Sequence, residues 1–167
     1  AGSNWAEIQP AGDDDQAWLS VGMSSNGQVI LVGNADSLFL STNTGSGWAE
    51  DYPAGEVDRG WDISSVSSDG QTMFAGGDRL YLSSNGGDNW SETQPVGNVD
   101  RDWALGSMSS DSQVLLAGVY NGRLYLGSNP LPTPAPSSGG NSSSSSQNSS
   151  STPTCTSIPG APDLFQI

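Results

Sequence analysis

Few residues in this chain are able to do chemistry. It has no His, no Lys and a single cysteine, Cys155, and its only cations are Arg59, Arg79, Arg101 and Arg123, set against 18 acids. That composition excludes the usual zinc, haem, Cys–His and Ser–His–Asp centres. Acids alone leave two chemistries open. Oxygen-rich loops can hold Ca²⁺, and Asp13-Asp14-Asp15, Glu56 with Asp58, and Asn98 with Asp100 and Asp102 stand in equivalent loops. Their spacing matches no calcium loop, and acidic turns are ordinarily solvated or capping. Paired carboxylates across one cleft cleave glycosides, but acids recurring in every repeat define no unique pair. The expectation is therefore no enzyme, no catalytic residue, no metal and no cofactor. A net charge of −14 lacks the basic footprint of a nucleic-acid binder. It also disfavours anionic lipid, and no apolar run approaches the ~20 residues of a membrane span.

The elements that must position these residues form a triplicate. All six Trp fall into two columns, Trp5, Trp48, Trp90 and Trp18, Trp61, Trp103, with periods of 43 and 42 residues in both. Around them recurs W-[AS]-E-x-x-P-x-G-x-x-D-x-x-W, with Asp15, Asp58 and Asp100 expected to hydrogen-bond the turn before the second Trp. Gln28, Gln71 and Gln113 each follow the second Trp by ten residues. The repeat is the folding unit.

Each unit reads as four short strands. The first ends at Met23, Val66 or Met108, and a Ser-rich turn follows. The second is an apolar run, residues 29–32, 72–75 or 114–117, which suits burial on both faces. The third is residues 38–40, 80–82 or 124–126. The fourth is the Trp-x-Glu stretch, stopped by a Pro that cannot donate to a ladder. No segment carries a sustained helical period, so the class is all-β. Two architectures accommodate three such units, propeller-type blades and a β-trefoil.

Residues 1–129 make the three-repeat domain. Residues 130–157 form a Pro/Ser/Thr-rich linker with almost nothing to bury. Asn141 and Asn148 there are N-glycosylation acceptors by pattern, as is Asn89 in a tight turn. Residues 158–167 turn apolar again, and Leu164, Phe165 and Ile167 suit either a donor strand or the opening of a further domain. The Pro-Asp-Leu-Phe within them resembles the start of fibronectin-type-III-like modules. Cys155 is either a free thiol or half of a disulfide to a partner.

The turn between third and fourth strands carries a family resemblance. Ser41-Thr-Asn43-Thr-Gly45-Ser-Gly-Trp48 and Ser83-Ser-Asn85-Gly-Gly87-Asp-Asn-Trp90 resemble the Asp-box of bacterial-neuraminidase-type repeats and sialidase-like β-propellers, with Asn where the family has Asp. The upstream Ser-Ser-Asp-Gly-Gln resembles propellers related to photosystem assembly factors. The resemblance implies propeller blades over residues 1–129, in which the box is structural. The arginine triad and Tyr–Glu pair of sialidases do not carry over, because the four arginines fall into the repeat-equivalent pairs Arg59/Arg101 and Arg79/Arg123. The third box is cut. Gly127-Ser128-Asn129 supplies its first half and Ala1-Gly2-Ser3-Asn4-Trp5 its second. The resemblance thus implies a last blade completed by the N-terminal strand, within the chain or in another copy. Three blades fall below the usual ~4–8, whereas two chains make six.

The expected function is an extracellular or cell-surface structural module, assembling with itself as a filament, surface-layer-like lattice or ring by strand complementation, on a glycosylated linker. The alternative is a lectin-like adhesion module whose repeats bind glycans as three weak sites acting together.

Overall fold

The computed structural model describes residues 4–55 and 59–128, which lie in a unit spanning Ala1–Pro132. All strands among the described residues belong to three antiparallel meanders. Blade 1 is β1 (Ser20–Met23), β2 (Ile30–Gly33), β3 (Leu38–Ser41) and β4 (Ala49–Asp51). Blade 2 is β5 (Ile63–Val66), β6 (Met73–Gly76), β7 (Leu80–Ser83) and β8 (Ser91–Thr93). Blade 3 is β9 (Trp103–Met108), β10 (Val114–Val119) and β11 (Leu124–Ser128). Within each blade the strands pair in chain order. Separate sequential meanders are propeller blades, not the interlocked hairpins of a trefoil.

Local chemistry fixes the turns. After the first strand of each blade a Ser hydroxyl donates to an Asx carboxyl or amide oxygen two residues on: Ser24 to Asn26, Ser67 to Asp69, Ser109 to Asp111. The same hydroxyls accept the N–H that opens the next strand, from Val29, Thr72 and Val114. Asx and Ser side chains thus replace backbone partners in a tight hairpin.

The blades stack in sequence. Cluster one, between blades 1 and 2, holds Leu31, Leu38, Trp61, Met73 and Tyr81, with Trp90 packed against it. Cluster two, between blades 2 and 3, holds Ile63, Phe74, Leu80, Trp103 and Ala117, with Tyr125 against it. Trp61 meets Tyr81, and Trp103 meets Tyr125, at ring separations of 5.7 and 5.3 Å. Glycine permits the close approach: a Cβ on Gly33 would lie 2.4 Å from the Trp61 carbonyl oxygen. The seams repeat a backbone bond too, Ser25 N–H to Ser68 O at 3.1 Å and Ser68 N–H to Ser110 O at 2.8 Å.

Two expectations need correction. The second strand is buried on both faces only in blade 2, where all four residues of β6 are buried. β2 and β10 alternate over much of their length, because an end blade has one neighbour instead of two. The N-terminal segment does not complete blade 3 within the chain. Blade 3 has three strands among the described residues, residues 4–19 contain no strand, and Trp5 is 91% exposed. The reason is topological. Each fourth strand feeds the first strand of the following blade, so the segment ahead of β1 lies at the blade 1 end of the stack, two seams from β11.

Candidate functional site

Repeat equivalence sorts every inward residue onto one of two faces. The leading face of a blade, towards the next blade, carries Leu31, Leu38 and Leu40 in blade 1 and Ile63, Phe74, Leu80 and Leu82 in blade 2. Leu38 and Leu80 there are 0% and 2% exposed. The same positions in blade 3 are Leu105, Leu116, Leu124 and Leu126, and all four are exposed, the last two at 66% and 76%. The trailing face, towards the preceding blade, carries Trp61, Val66, Met73 and Tyr81 in blade 2 and Trp103, Met108, Leu115 and Tyr125 in blade 3. In blade 1 it carries Trp18, Val21 and Met23, all exposed, with Phe39 shielded edge-on by Trp18 at 6.0 Å. The two ends are therefore the two halves of one kind of seam. Contiguous exposed apolar surface of this kind marks an interaction site.

Two clefts accompany these faces, one at the blade 1 end and one at the second seam. At blade 1 a cleft of about 370 Å³ is lined by Ile8, Pro10, Trp18, Leu19, Val21 and Val32. Between blades 2 and 3 a second cleft of about 130 Å³ is lined by Leu82, Thr93, Pro95, Leu115, Tyr125 and Leu126, among others. At the first seam the matching place is filled by Trp90, whose indole Nε1–H donates to Asp51 Oδ1 at 3.0 Å.

The two intact boxes share one geometry. Ser41 Oγ donates to Asn43 Oδ1 and accepts the Gly45 N–H, and Asn43 Oδ1 accepts the Gly47 N–H at 2.8 Å. Ser83, Asn85, Gly87 and Asn89 repeat these bonds. Gly45 and Gly87 have φ of +80° and +95°, a region open to glycine. Trp48, on the free trailing side of blade 1, turns its indole N–H onto Gly45 O instead of a neighbouring blade. Of the other box residues, Trp5 is exposed, and Gly2 and Asn129 lie outside the described residues. So do the sequons Asn141 and Asn148, the apolar Leu164, Phe165 and Ile167, and Cys155. Asn89 is exposed, in the turn entering β8.

The charged groups hold the scaffold. Arg79 donates to Glu92 at 2.6 Å, to Asn98 at 2.6 Å, and to Asp100. Asp100 thus pairs with a side chain of the preceding hairpin, where the sequence pointed to its own turn. The Arg79 hydrogen bond holds the Glu92 carboxyl below the usual range, and Arg79 is itself raised by Glu92 and Asp100. Burial pushes Asp62 up, with Asp102 and Asp78 adding like charge. Asp78 stands 3.9 Å from Arg59. Among the described residues no group of three or more His, Cys, Asp or Glu is arranged to hold a metal. Asp13, Asp14 and Asp15 are exposed, and Glu56 and Asp58 lie outside the described residues. Sequence reasoning missed the two exposed end faces, although the repeat alignment contains them: Leu105, Leu116, Leu124 and Leu126 stand in register with core residues.

The likeness to solved structures is one of fold. YCF48 bound to D1 peptide superposes with a TM-score of 0.54 at 14% identity, covering 67% of this chain and 38% of that one. An ancestral GH74 enzyme gives 0.53 at 20%, covering 65% and 17%. The Cps50 (Swd1) β-propeller domain of Myceliophteria thermophila gives 0.52 at 11%, covering 72% and 37%. This chain spans well under half the length of each. No protein-family model matches the sequence, and no curated protein matches it. The fold is thus that of β-propeller blades.

Proposed function

We propose that the chain is a non-catalytic, Asp-box-type structural module that assembles with copies of itself, each copy completing the blade its neighbour leaves open. One observation carries this reading: among the described residues blade 3 ends on an unpaired β11 edge, while a fourth-strand sequence, residues 5–9, stands exposed at the opposite end. An unpaired edge is a template for another strand. The exposed faces support the same reading, since a leading face of Leu105, Leu116, Leu124 and Leu126 matches the trailing face that β1 presents. A head-to-tail contact of this kind closes as a ring or runs on as a filament. Two copies give six blades, within the usual propeller range.

The setting we assign is extracellular or at the cell surface, on a glycosylated linker. Its support is the Lys-free acidic composition and the sequons at Asn141 and Asn148. A lectin-like role has less support, because Trp61 and Trp103 are buried between blades and form no threefold set of sugar platforms. Mass photometry and electron microscopy of the full chain test the reading. Rings or filaments with mass rising in whole-chain steps are expected, and a monomer at every concentration up to tens of micromolar contradicts it.

A further inference from the structure

Resting on that assembly reading, we infer that the cleft between blades 2 and 3 is a seat for the Trp5 indole of a second copy. That copy's residues 6–8 run antiparallel along β11, and its Glu7 is held by Arg123.

The seat is read from the seam that is already complete. There, Trp90 of blade 2 packs against the cluster that holds Met73 and Tyr81, as Leu40 does, and its indole bonds Asp51. The equivalents at the second seam are Leu82, Leu115, Tyr125 and Thr93, and all four line the cleft. The residue missing from the set is the one equivalent to Trp90, which is Trp5. Thr93 offers its hydroxyl where Asp51 offers a carboxylate, so the indole N–H keeps an acceptor.

The register follows from the two complete blades. Ala49 pairs with Leu40 and Glu50 with Phe39; Ser91 pairs with Leu82 and Glu92 with Tyr81. The same offsets place Ala6 opposite Leu126, Glu7 opposite Tyr125 and Ile8 opposite Leu124. Arg79 precedes Leu80 and bonds Glu92 across the strand pair at 2.6 Å. Arg123 precedes Leu124 in the same way, is exposed, and forms no ion pair among the described residues. Glu7 is the repeat equivalent of Glu92, and it too is exposed.

The occupant is a second copy because of how fourth strands connect. β4 leads to β5 and β8 to β9, so the strand leading to β1 belongs to the blade ahead of blade 1. Within the chain, Ile8 and Pro10 already lie at the blade 1 cleft with Trp18 and Val21. Bringing the blade 3 face of one copy onto that end delivers the other copy's Trp5 to the seat.

The test uses charge exchange between full-length copies. Glu7→Arg alone sets Arg against Arg123, and Arg123→Glu alone sets Glu against Glu7. Each variant is expected to associate about tenfold more weakly than wild type by sedimentation velocity. An equimolar mixture restores association, because every contact in an alternating assembly is then an opposite pair. Closure within one chain gives no such rescue. Trp5→Ala is expected to weaken association by at least about tenfold while leaving the melting temperature of the dilute chain unchanged, since Trp5 is exposed there. Wild-type chain that never associates overturns the assembly reading and the seat together. Wild-type chain that associates, with a mixture no better than its components or with Trp5→Ala matching wild type, overturns the seat and leaves assembly standing.

Discussion

Asp51 is the acid most at odds with its surroundings. Its Oδ1 accepts from the Trp90 indole and the Tyr52 N–H, while Oδ2 is buried with no hydrogen bond among the described residues. Burial pushes its pKa up, against the lowering effect of the Trp90 bond. A raised folded-state value means the native chain gains stability as pH falls through it. Asp51→Asn is therefore expected to stabilise the chain by about 1 kcal/mol at pH 7, with the advantage shrinking in acid, as read by urea unfolding at several pH values. Asp69 and Asp111 have the opposite sign. Hydrogen bonds from Ser67 and Ser109, then from the Gln71 and Gln113 N–H groups, hold their carboxyls low. Their contribution is present above the ordinary carboxylate value and is lost as pH falls through the lowered one. The double variant Asp69→Asn, Asp111→Asn should flatten the acid limb of the stability profile, and an unchanged limb contradicts this. The Ser–Asx turns were legible from sequence because the motif recurs three times. Asp51 was not, because its repeat equivalents are Thr93 and Ile8 and nothing local marks it as a seam residue.

At the scale of elements, the strand ends came from Pro, Gly and the Ser-rich turns, and the eleven strands among the described residues fall within one or two residues of where those signals placed them. The first copy of the fourth strand is the exception. Its Trp-x-Glu pattern is intact at residues 5–7, yet it forms no strand, because a strand needs an edge and none lies beside it. Pattern decides what a segment pairs with once a partner is present; tertiary context decides whether one is. Burial followed the same rule: Trp61 and Trp103 are enclosed, while Trp18 in the same column is 43% exposed. Two substitutions probe the elements. Ser83→Ala removes the hydroxyl that accepts the Gly87 N–H and donates to Asn85, in a residue fully buried. It should cost about 1–3 kcal/mol by denaturant unfolding. Gly33→Ala drives a Cβ into the Trp61 backbone, whereas a Cβ on Gly106 meets the side chains of Ile63 and Phe74. Gly33→Ala should cost more than Gly106→Ala, because side chains yield and backbone does not.

At the scale of the whole molecule, three stacked blades bury two seams and leave half-seams at both ends. The apolar surface on those ends is the same set of positions that forms the interior elsewhere. The cut box at residues 127–129 and 1–5 is legible in the sequence, since it lies in the motif itself. The end faces are not, because Leu in a repeat reads as core wherever it falls; only the count of neighbouring blades makes Leu124 and Leu126 surface. Strand complementation is the central claim, and amide hydrogen exchange on the full chain at two concentrations tests it most directly. At high concentration the account predicts slowed exchange in both residues 5–8 and β11, with both segments exchanging quickly on dilution while β6 stays protected throughout. Exchange of β11 and residues 5–8 that is equally fast at both concentrations would contradict it.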